Sequence, residues 1–176
     1  MPFEEFDLST FWKQSEYADK EYVDSPLTQD VVVAVEAELG YKLPTSYIAL
    51  CMGQNGGCPA KTAHRMRDRT SWAEDHIAIT GIYSIGGNKP NSLCGEFRST
   101  FWITEWGYPD IGVYFADCPS AGHDMLCLDY RASGPNGEPQ VVYVDQEHDY
   151  KISVVAQNFE SFIRGLESDD EFNDDV

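Results

Sequence analysis

The stretch IGVYFADCPSAGHDMLCLDYRASGPNGEPQVVYVD, residues 111–145, decides the fold. Ile111–Ala116, Met125–Tyr130 and Gln140–Asp145 are apolar runs separated by turn residues. Pro119-Ser120-Ala121-Gly122 separates the first two, and Gly134-Pro135-Asn136-Gly137 the last two. Short runs of this kind, joined by loops rich in Pro, Gly, Ser and Asn, read as consecutive antiparallel hairpins. Side chains alternate across a strand, so Met125, Cys127 and Asp129 share one face and Leu126, Leu128 and Tyr130 the other.

Toward the N-terminus the period changes. Val31, Val32, Val35 and Leu39 recur at helical spacing, with Thr28 as N-cap and Gly40 as the stop. A second helix starts near Pro44-Thr45, turns Tyr47, Ile48 and Cys51 inward, and ends at the run Gly53–Gly57. Residues 76–85 alternate partly and read as a strand closed by Gly86-Gly87-Asn88. Phe97, Phe101, Trp102 and Trp106 fit a short helix ending at Gly107. Beyond the hairpins, Tyr150–Val155 reads as a further strand. Phe159, Phe162, Ile163 and Leu166 then mark a last helix. Helices, hairpin strands and a closing helix predict an α+β fold: one domain, an antiparallel-rich central sheet, and helices mainly on one face. The domain spans residues 27–166. Residues 1–26 form a partly helical arm that packs through Phe6, Leu8, Phe11 and Trp12. Residues 167–176 read as an acidic disordered tail.

Composition excludes several functions. The chain has 176 residues, 30 Asp and Glu against 12 Lys and Arg, and a formal net charge of −18. A nucleic-acid binder needs a basic face, and anionic lipid repels such a chain. The longest aliphatic stretch, Val31–Val35, is too short to span a bilayer. Met1-Pro2-Phe3-Glu4-Glu5 lacks the marks of a secretory signal. Five cysteines without Cys-x-x-Cys spacing suit reduced thiols in the cytoplasm.

Charge is unevenly spread. Residues 105–149 hold nine acids and one base, Arg131, whereas Lys61, Arg65, Arg67 and Arg69 form the one basic run. That run sits near Asp68, Glu74 and Asp75 and reads as a solvated loop. His123-Asp124 and His148-Asp149 are the residues from which a metal site or a general base would be built. Neighbours on a strand point to opposite faces, so cooperation has to come across strands; polar residues at strand ends are the commoner outcome. Residues 145–156 place Tyr150 and Ala156 where a calcium loop needs Gly and Glu. There is no nucleophile elbow and no phosphate-binding glycine motif. No cofactor or metal is expected.

Leu39-Gly40-Tyr41-Lys42-Leu43-Pro44-Thr45-Ser46-Tyr47 followed by Asn55-Gly56-Gly57 resembles the opening of the SUKH superfamily, the Smi/Knr-like domains. Trp106-Gly107, Ile111-Gly112, Phe115-Ala116-Asp117, Gly122, Leu128-Asp129-Tyr130 and Ala156-x-x-Phe159-x-x-Phe162-Ile163 follow in the same order. The segment Cys58–Asp75 looks like an insertion, and His123-Asp124 extends the turn after Gly122. The superfamily includes fungal cell-wall regulators and bacterial immunity proteins. The resemblance implies an α+β fold and protein binding rather than catalysis. The expected partner is a toxin, often a nuclease, whose basic cleft an acidic inhibitor meets quickly through steering. A housekeeping interaction module is the alternative, and a small hydrolase using His123 and His148 a third reading. The expected partner surface comprises Glu105, Trp106, Asp110, Asp117, His123, Asp124, Glu147 and Asp149.

Overall fold

The computed structural model describes residues 1–172. Chain order is β1 (Trp12–Lys13), α1 (Glu16–Glu21), α2 (Gln29–Leu39), α3 (Thr45–Gly53), β2 (Cys58–Pro59), β3 (Ala63–Arg65), β4 (His76–Ala78) and β5 (Gly81–Ile82). It continues with α4 (Ser99–Trp106), β6 (Gly112–Asp117), β7 (Asp124–Asp129), β8 (Gln140–Asp145), β9 (Lys151–Ala156) and α5 (Phe159–Arg164). Strands β5-β6-β7-β8-β9 form one antiparallel sheet in sequence order. From β6 to β9 that order follows from the short loops, since each strand folds back on its predecessor, whereas β5 reaches β6 through the long connection that carries α4. Two small sheets, β1 with β2 and β3 with β4, flank it.

Local sequence explains the helices. The Thr28 hydroxyl accepts from the Val31 N–H, and Gly40 closes α2 in the left-handed region at φ 79°. Gly107, at φ 78°, does the same for α4. Asn158 caps α5 by accepting from the Ser161 N–H. The core is aromatic. Tyr47 stacks on Phe159, and Phe115 meets the rings of Tyr47, Phe159 and Phe162, which seats α3 and α5 against the sheet. Tyr114 turns instead to Tyr108, in the turn that follows α4.

Residues 76–85 do not form one strand. β4 pairs with β3, whereas β5 pairs with β6. Between them Ile79 N–H donates to Thr62 and Thr80 N–H to Asp117, so the chain changes partners. A Cβ on Gly81 would lie 2.3 Å from the Tyr22 ring, and glycine permits this close crossing. Residues Cys58–Asp75 supply β2 and β3 and a loop running back to β4.

The arm packs through Phe3 and Phe11, both buried, and contains α1. At the other end, residues 167–172 lie against the insertion, although their composition reads as a disordered tail. Main-chain pairing and the Phe172 ring hold them there, and a charge count registers neither. The rest of the expected tail, 173–176, lies outside the described residues.

Candidate functional site

Antiparallel pairing brings two turns to one end of the sheet. Asp124 lies opposite Asp145, and Asp145 opposite Lys151. The β6–β7 turn at 118–123 therefore sits beside the β8–β9 turn at 146–150. Helix α4 delivers Trp106 to the same place. Tyr150 donates its hydroxyl to the Trp106 carbonyl, and Tyr108 donates to the Gly122 carbonyl at 2.5 Å. Gly122 is at φ 97°, and a Cβ there would meet the indoles of Trp106 and Trp102 at 2.9 and 3.0 Å. Only glycine combines this backbone with this approach.

Trp106 meets His123 edge to face, with centroids 5.7 Å apart. His123 Nδ1 is 2.8 Å from Glu147 Oε1 and 3.1 Å from Gln146 Oε1. The Gln146 N–H closes the contact on the His123 carbonyl. The side chains of His123 and Glu147 are about half exposed, at 48% and 53%. Cooperation thus comes across strands, as alternation requires. Glu105 and Asp149 are exposed beside this cluster in the chain.

The eight residues singled out from sequence divide. Trp106, His123 and Glu147 are in contact or linked through contact, with Glu105 and Asp149 flanking them. Asp110 is exposed at the opposite end, next to Tyr41 and Arg131. Two turn toward hydrogen-bond partners within the fold rather than toward the rim. Asp124 is buried and accepts hydrogen bonds from the Ser120 and Tyr143 hydroxyls. Strand parity turns it inward with Tyr143. Burial pushes its carboxyl up, the two hydroxyls pull it down, and Asp145 adds to the rise. Asp117 accepts from the Tyr22 hydroxyl at 2.6 Å, and burial pushes it up to about 6 against that bond.

His148 has a different role. Its Nδ1 lies 3.1 Å from Asp145 Oδ2 and 3.1 Å from Ser71 Oγ, and the Ser71 N–H donates to the same Asp145 oxygen at 2.9 Å. These contacts dock the insertion loop against the sheet end. An open polar groove of about 890 Å³ runs between them, bordered by Arg69, Thr70, Ser71, Glu147, His148 and Lys151. A Ser-His-Asp relay needs the two partners on different ring nitrogens; here both meet Nδ1. Among the described residues no three His, Cys, Asp or Glu side chains converge as metal donors. Nor is any helix there long and apolar enough to cross a membrane.

Sequence reasoning left out Tyr108 and Tyr150, which place Trp106 and the turn by their hydroxyls. Their signal is weak, because a tyrosine beside a turn is common. Ser71 was invisible for another reason: its partners lie 74 and 77 residues away.

Taken together, these features define an α+β domain whose exposed chemistry suits contact with another macromolecule. The chain belongs to the SMI1 / KNR4 family (SUKH-1), whose family model matches residues 26–165. No curated protein matches it. The family as a whole comprises immunity and regulatory domains that are generally non-enzymatic and bind protein partners.

Proposed function

We propose that the chain is a cytoplasmic immunity protein that neutralises a cognate toxin domain with a basic cleft, such as a nuclease, by steric occlusion rather than by chemistry. The observation that carries this reading is the rim formed by Trp106, His123 and Glu147. A half-buried indole packed against Trp102, His123 and the Gly122 turn is the kind of anchor that dominates binding energy. The acids flanking it, Glu105 and Asp149, add electrostatic steering toward a basic cleft.

Co-expression with the toxin encoded beside the gene tests the reading. Wild-type protein is expected to rescue growth, Trp106→Ala to fail, and Asp110→Lys, at the opposite end, to rescue normally. Absence of rescue by wild-type protein would contradict the immunity reading. Recovery of one constant cellular partner in that case would favour a regulatory module.

A further inference from the structure

Of the basic run from Lys61 to Arg69, only Arg69 borders the sheet-end groove, and the start of the run is occupied from another direction. Residue 167 adds antiparallel to the outer edge of β3. The Ala63 N–H donates to the Glu167 carbonyl at 3.0 Å, and the Glu167 N–H donates back to Ala63 at 2.7 Å. The Glu167 carboxylate lies 3.0 Å from Arg65 Nε. Five residues on, Phe172 stacks on His76 with centroids 4.2 Å apart, and the Arg65 guanidinium is 4.9 Å from the same ring. The occupying segment, ESDDEF, carries four acids and no base. Lys61 and Arg67 form no ion pair among the described residues.

Main-chain pairing at a strand edge, a charge contact and an aromatic seat are the parts of a peptide-recognition surface. From them we infer that the β3–β4 hairpin is a docking surface for an extended acidic segment of a protein partner, with an aromatic residue five positions after a glutamate. Residues 167–172 are its resident occupant. Charge complementarity and the seated segment define the incoming chemistry. The resident is held by one bridge, by the Phe172 ring and by an ion pair whose Arg65 side chain is 62% exposed, and exposed pairs contribute little. Its advantage is attachment, which gives it a high effective concentration. This surface is built on Arg65, His76 and the β3 edge and shares no residue with the Trp106 rim, so either reading can fail without the other.

The test uses the full chain and a labelled synthetic peptide, ESDDEF, followed by fluorescence anisotropy. Phe172→Ala, which frees the seat, is expected to bind the peptide about tenfold or more tightly than wild type, because the intramolecular competitor is weakened. Glu167→Lys, which breaks the Arg65 contact without touching the ring, is expected to shift affinity in the same direction. Adding Arg65→Glu to Phe172→Ala is expected to abolish binding, with thermal melts confirming that each variant folds. Equal affinity for wild type and both single variants, or no binding by any folded variant, would overturn the inference.

Discussion

The sheet end at residues 118–124 and 145–150 and the hairpin at 63–78 are both rich in charge, and they use it in opposite ways. At the sheet end charge is sorted by direction. Asp124 and Asp145 point inward to hydroxyl, imidazole and amide donors, while Glu147 and Asp149 face solvent. At the hairpin charge is matched on the surface, Arg65 with Glu167 and Arg69 with Glu74. Inward groups cost free energy unless satisfied, and losing a partner there is expensive; exposed pairs contribute a few tenths of a kcal/mol. Substitutions at the sheet end should therefore change stability far more than those at the hairpin.

The largest effect is expected for Gly122→Val. It forces a branched residue into φ 97° and drives it into two indoles, for a loss of about 3 kcal/mol in urea denaturation. A loss below about 1 kcal/mol would show that the turn can relax and that Trp106 is not held rigidly. Asp124→Ala comes next, at about 2 kcal/mol, because the Ser120 and Tyr143 hydroxyls lose their acceptor.

Two pH effects sharpen the contrast, since they run in opposite directions. Asp117 is raised to about 6 in the folded chain from an ordinary value near 3.8, so between those values the folded state holds more protons than the unfolded. Its contribution is present below about pH 4 and is lost as pH rises through about 6. Asp117→Asn keeps an acceptor for Tyr22 and should flatten this fall, by about 1 kcal/mol after allowing for solvent screening. His64, at the hairpin base, stacks on Phe162 with centroids 5.4 Å apart, and burial lowers its affinity for a proton. The Arg65 carbonyl and Glu167 oppose that shift. Here stability is present above about pH 6.5 and is lost as pH falls through the lowered value. Thermal melts of His64→Phe across pH 5–7 should show a smaller acid-side loss than wild type, by well under about 1 kcal/mol. A melt that steepens instead would reverse the assigned sign.

Much of this arrangement was legible in the sequence. Gly40, Gly107 and Gly122 marked ends and a turn because their flanking periodicity changed there, and the hairpins from 111 to 145 had unambiguous loops. The break at Ile79–Thr80 was not legible. Alternation continues through residues 76–85, and the partner change depends on Tyr22, 59 residues before Gly81 in sequence, crossing at that point. Asp124 failed as a surface residue because composition counts carboxylates without their direction, which strand parity sets. In the tail, six acids in ten residues suggest solvation, but within its described part Phe172 finds a seat between His76 and Arg65.

Hydrogen exchange of the chain, alone and with a candidate toxin domain that it rescues cells from, tests the central claim most directly. Slowed exchange is expected at residues 104–108, 120–123 and 146–150, where the Trp106 rim lies. Protection at the Asp110–Tyr41 end with no change in those three segments would contradict it.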